Sequence, residues 1–102
     1  MKEYDIFVPL RYNDGTLIDG RTFQQLQTSL LEQFGGLTYF PQANQGYWKL
    51  GNVTYRDEIV IYRVLAKDSR GSKRFLRKLK ERLKADLDQE EILIVERDVE
   101  AL

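Results

Sequence analysis

Between YWKL and VTYRDEIVIYRVL the chain has only Gly51 and Asn52 on which to turn. Both flanking runs are rich in aromatic and β-branched residues. A two-residue Gly-X link between such runs is a strong hairpin signal, because glycine supplies the positive φ that a tight turn needs. Placing Leu50 opposite Val53 puts Trp48 opposite Tyr55, and the same register carried on puts Tyr39 opposite Val64. The second and third strands then form one long ribbon, disturbed around PQANQG. Pro41 has no N–H to give a neighbour, so the second strand belongs at a sheet edge.

The remaining segments change period in a way that fixes their order. Residues 4–12, YDIFVPLRY, alternate as a strand does. Phe23, Leu26, Leu30 and Phe34, with Leu31 beside them, recur at helical spacing. Thr22 and Gln25 have capping-box spacing, and Asp19 competes as N-cap. Gly35 and Gly36 end that helix. Asp68 or Ser69 caps a second helix, whose stripe is Phe75, Leu76, Leu79, Leu83 and Leu87. Residues 91–97, EILIVER, make the last strand. The order β-α-β-β-α-β predicts an α+β fold, a ferredoxin-like sandwich over residues 1–102 as a single domain. Its antiparallel sheet has the order 4-1-3-2 with both helices on one face.

Such a sheet should alternate cleanly if its second face meets water. Here Ile59 and Ile61 oppose Val60, Tyr62 and Val64, and Ile92 and Ile94 oppose Leu93 and Val95. In the first strand Ile6, Val8 and Leu10 oppose Phe7. Apolar residues on both sides predict a covered second face. A homodimer formed through that face or the ribbon is the expectation, since closed two-fold pairs are the commonest assemblies.

Sixteen basic residues balance sixteen acidic ones in a chain of 102. No overall field draws it to nucleic acid or to a membrane surface. Without cysteine or histidine, Ser-His-Asp and Cys-His triads are excluded, as are Cys-based zinc sites. No cofactor is expected. The opening MKEYDIFVPLRYNDG lacks the apolar core of a signal peptide, and no window is apolar enough for a membrane span. A soluble cytoplasmic protein is the expectation.

Several constellations are candidates for function. Tyr47, Trp48 and Tyr55 cluster on the ribbon beside Lys49 and Arg56, where aromatic planes and cations could hold a flat or anionic ligand. Asp14 lies in the loop at the same end of the sheet and joins that set. Asp14 with Asp57 or Glu58 is a weak candidate for a hard cation such as Mg²⁺, although no spacing here matches an EF-hand. The second helix is basic from Arg70 to Lys84, and Arg70, Lys73 and Arg74 near its start are anion-binding candidates. The seven carboxylates of residues 86–100 could instead neutralise that helix. DEIVIYRV lacks the K/R-G-F/Y-G/A-F-V-x-F/Y pattern of glycine and aromatics that an RNA-recognition motif needs, which argues against RNA binding in that mode.

Asn13-Asp14-Gly15, Phe34-Gly35-Gly36-Leu37-Thr38, Gly46-Tyr47-Trp48, Tyr55-Arg56-Asp57 and Gln89-Glu90-Glu91-Ile92-Leu93 occur in that order. The pattern resembles a family of small uncharacterised bacterial proteins with a ferredoxin-like fold. The resemblance implies a fold and no catalytic residue. With the missing His and Cys, it leads to the expectation of a non-enzymatic, oligomeric binding or regulatory module. Its small molecule or protein partner would sit near the ribbon and the Asp14 loop. The alternatives are a metal-dependent phosphodiesterase or nuclease using Asp14 with Asp57 or Glu58, and anion or nucleic-acid binding through helix residues 70–84.

Overall fold

The computed structural model describes residues 1–67 and 69–102. Its elements are β1 (Lys2–Pro9), α1 (Gly20–Phe34), β2 (Thr38–Leu50), β3 (Val53–Ala66), α2 (Arg70–Asp86) and β4 (Ile94–Asp98). The sheet order is β2-β3-β1-β4, which is the expected 4-1-3-2 read from the other edge, and the pairings are antiparallel. β1 begins earlier than its alternation suggests and ends at Pro9. Past it, Leu10 and Arg11 turn into the loop, where Arg11 bridges to Leu17.

Both helices lie where their leucines require. Leu26 and Leu30 of α1, and Leu76, Leu79 and Leu83 of α2, are buried against Tyr4, Ile6, Val8, Val60, Tyr62 and Val64. Each fully buried Leu or Ile contributes roughly 1.5–3 kcal/mol. Phe34 meets Phe75 edge-on at 5.6 Å, which joins the two helices. Asp19 rather than Thr22 is the N-cap of α1, accepting from the Arg21 N–H. Gly35 closes that helix at φ 78°, a conformation that L residues with a Cβ avoid. Ser69 caps α2 by accepting from the Ser72 N–H, and the alternative cap Asp68 lies outside the described residues.

The ribbon turns at Gly51, whose φ of 63° is what the first central residue of a type II′ turn needs. Leu50 pairs with Val53 and Trp48 with Tyr55, as read from the sequence. Tyr39, however, pairs with Tyr62 and not with Val64. Pro41, Gln42 and Ala43 stand against Val60 alone, so the register shifts by two residues. Because the shift is even, it does not exchange the two faces of the strand. Phe40 and Trp48 therefore both project on the side of Ile59 and Ile61, away from the helices.

That second face differs from the one the alternation predicted. Phe7, Ile59, Ile61 and Val95 are only partly buried there, and an ionic cluster of Glu3, Asp5, Arg63 and Arg97 occupies its centre. The face is apolar at its flanks and charged in the middle.

Candidate functional site

The ribbon runs out from the body as two exposed strands, and its aromatics are built by cross-strand pairing. Trp48 and Tyr55, directly opposed, stack at 4.4 Å with 16° between ring planes. The Trp48 indole Nε1 donates to Asp57 Oδ2 at 2.8 Å, which fixes the ring's orientation. Nearer the body a second stack forms, Tyr39 on Tyr62 at 4.6 Å. Tyr62 is fully buried and its hydroxyl accepts from Gln27 Nε2 at 3.3 Å; burial pushes its pKa up to about 12. This tyrosine stays neutral and serves the core.

The structure divides the ribbon candidates. Trp48 and Tyr55 share the face of Ile59. Tyr47 and Arg56, paired with each other, point to the opposite side, where the Tyr47 hydroxyl donates to Gln45 at 3.0 Å. Asp14 belongs to neither group. Its Oδ1 accepts from the Thr16 N–H at 3.0 Å and the Thr16 hydroxyl at 2.6 Å. These bonds shape the loop and lower the Asp14 pKa, the hydroxyl most of all.

Loops do converge at this end of the sheet. Arg11 reaches Glu58 at 3.9 Å and donates to the Gly15 carbonyl, while Asn13 Nδ2 donates to the Asp88 carbonyl at 2.8 Å. No metal-holding group of three Asp or Glu residues forms among the described residues. Asp14 is engaged by Thr16, Asp57 by Trp48 and Glu58 by Arg11. The carboxylates of the Mg²⁺-dependent nuclease reading are thus each engaged by a neighbouring side chain.

Helix α2 gives a similar result. Lys73 meets Glu96 at 3.5 Å and Lys80 meets Glu91 at 2.9 Å. Those contacts lower the pKa of Glu91, chiefly through Lys80, and help to lower that of Glu96, where the Tyr4 hydroxyl acts most. Lys73 and Lys80 are thus each paired with a carboxylate beyond the helix, while Arg70 and Arg74 remain exposed. No described helix is long and apolar enough to cross a membrane.

Two features were absent from the sequence reading. One is an open groove of about 560 Å³ between the helices, lined by Gln24, Gln25, Thr28, Ser29 and Arg82 and floored by Leu26 and Leu83. The other is the ionic cluster. Asp5 is 4% exposed and takes Arg63 Nε at 2.8 Å and Arg63 Nη2 at 3.0 Å, and it also accepts from Arg97. Its pKa is lowered, first by Arg63 and then by Arg97, against the opposing effect of burial. Glu3 bridges the same two arginines. The signal for this cluster lies in the β1–β3 and β1–β4 registers, which set Asp5 opposite Arg63 and Glu3 opposite Arg97.

No known protein family and no curated protein matches the chain. The motif order that resembles small bacterial proteins thus has no independent support beyond a small α+β fold. Among solved structures the fold is similar to a phage SAM lyase in complex with S-methyl-5'-thioadenosine. That match has a TM-score of 0.67 and 14% identity, covering 95% of this chain and 80% of the other. The apo state of a phage SAM lyase matches with a TM-score of 0.64 and 16% identity, over 94% and 78%. This likeness corrects the expectation of a non-enzymatic binding or regulatory module. That expectation rested on the absence of His and Cys, and the architecture it was applied to is one that lyases use.

Proposed function

We propose that the chain is a lyase acting on an adenosyl sulfonium of the S-adenosylmethionine class. The observation that carries this reading is the shared fold, over nearly the whole chain, with a SAM lyase bound to S-methyl-5'-thioadenosine. The chemistry also suits the composition. Release of the methylthioadenosine breaks the bond between the sulfonium sulfur and the aminobutyryl carbon. The electron pair goes to sulfur and discharges it, so the leaving thioether takes no proton. The carbon is satisfied by the substrate's own carboxylate, whose oxygen bonds to it as the sulfur leaves and closes a lactone. Neither departure of the sulfur nor its binding calls for histidine or cysteine.

Trp48 and Tyr55 are the residues we assign to substrate. A stacked pair presents outer ring faces to a purine, and an aromatic face attracts a sulfonium as it attracts other cations. Asp57 holds the indole in place for that task. Tyr47 and Arg56, on the other side of the ribbon, and Asp14, engaged in its loop, are not assigned to it.

The test is direct. Purified full-length chain incubated with S-adenosylmethionine should release S-methyl-5'-thioadenosine, followed by chromatography. Trp48→Ala should cut the rate at least tenfold while leaving the far-ultraviolet circular dichroism unchanged. No product above the enzyme-free blank would end the lyase reading. A fully active Trp48→Ala would end only the site assignment.

A further inference from the structure

We infer that the sheet face opposite the helices carries a separate binding site for a small carboxylate with a short apolar tail, built on Arg63 and Arg97. The formal charges of the cluster cancel, but not in space. The side chains of Asp5 and Glu3 are 6% and 15% exposed, whereas those of Arg63 and Arg97 are 38% and 40% exposed. Negative ends lie against the sheet and positive ends face outward. An anion approaching this face meets guanidinium first.

The guanidiniums are also pre-oriented. Asp5 holds one edge of Arg63 through Nε and Nη2, and Phe40 lies across the same group at 5.0 Å. Arg97 is held by Nη2 alone, which donates to Asp5 and Glu3. Nη1 of Arg63, and Nε and Nη1 of Arg97, have no acceptor among the described residues. Arg63, fixed on its Nε–Nη2 edge, offers its Nη1–Nη2 edge to a carboxylate in bidentate geometry, and Arg97 adds single donors from Nε and Nη1. Stability alone gives little reason for the arrangement, since a well-packed apolar group in place of a buried ion pair is often as stable or more so. Phe7 and Ile61 beside the cluster supply the surface for an apolar tail.

This site does not depend on the lyase reading. Tyr55 and Arg63 are eight residues apart on β3, about 26 Å along an extended strand. One adenosyl sulfonium does not bridge that distance.

Hexanoate, hexanamide and inorganic phosphate are suitable probes, titrated into isotope-labelled full-length chain and followed by nuclear magnetic resonance. Hexanoate should saturably shift the backbone and guanidinium signals of Arg63 and Arg97. Hexanamide, the neutral counterpart, should leave them in place, and phosphate should act more weakly than hexanoate. Arg97→Gln should weaken hexanoate about tenfold, the scale of a lost charge-assisted pair. Arg97→Lys, which keeps the ion pair but removes the free Nε and Nη1 donors, should also weaken it and serves if the glutamine variant unfolds. Equal shifts with hexanoate and hexanamide, phosphate binding as tightly as hexanoate, or unchanged hexanoate affinity in the lysine variant would each overturn the site. Turnover of S-adenosylmethionine is read separately, so failure of either proposal leaves the other standing.

Discussion

Asp5 sits almost wholly out of water in the middle of a sheet, yet both of its arginine partners reach solvent. Its lowered pKa has a definite consequence for acid stability. An unfolded aspartate titrates near about 3.9. The stabilisation from Asp5 is therefore complete above that value and is lost as pH falls through the lower folded value. Asp5→Asn should cost about 2 kcal/mol in urea unfolding at pH 7, less than a fully buried pair because the guanidiniums are half exposed. It should also lose less stability than the wild type between pH 5 and about pH 2. A variant whose acid limb matches the wild type would show that Asp5 does not carry this linkage. In the sequence Asp5 reads only as an interruption of an apolar strand. Its meaning depends on Arg63 and Arg97, 58 and 92 positions away, and emerges only when both registers are known.

At the scale of elements, local signals were sufficient wherever one residue fixes the geometry. Gly51, Gly35 and the leucine stripes each act within a few residues, and the hairpin pairing of Trp48 with Tyr55 follows from Gly51 alone. The register fails to extend to Tyr39 because the extra residues around Pro41 are accommodated by a bulge, whose size no turn rule specifies. The choice of Asp19 over Thr22 as N-cap is similarly a competition between two adequate residues. Gly51→Ala tests how much of the ribbon the turn secures. The left-handed φ should cost an alanine about 1–2 kcal/mol. Most of that should appear as faster hydrogen exchange in residues 45–58, with the body of the sheet little changed. Uniform loss of protection across β1 and α2 instead would mean that ribbon and body unfold as one unit.

For the molecule as a whole, the ribbon is the part that its own core does not explain. Tyr47, Trp48, Leu50, Val53 and Tyr55 are all exposed on it, and β2 is an edge strand with one side unpaired. Exposed edges and clustered apolar side chains favour contact with another chain. The two-fold assembly expected from the sequence is thus better sought at the ribbon than at the second sheet face, whose centre is charged. Light scattering at micromolar concentration should give a mass at least twice the 12.0 kDa of one chain. Leu50→Glu with Val53→Glu places two like charges beside the turn without touching the buried core, and should return the mass to that of a single chain. Because the substitutions flank Trp48 and Tyr55, the same variant also asks whether assembly matters to turnover. Monomeric protein that has lost methylthioadenosine release while keeping its circular dichroism would tie the proposed activity to the paired ribbon. A wild type that scatters as 12.0 kDa would instead leave the ribbon as a surface that works alone.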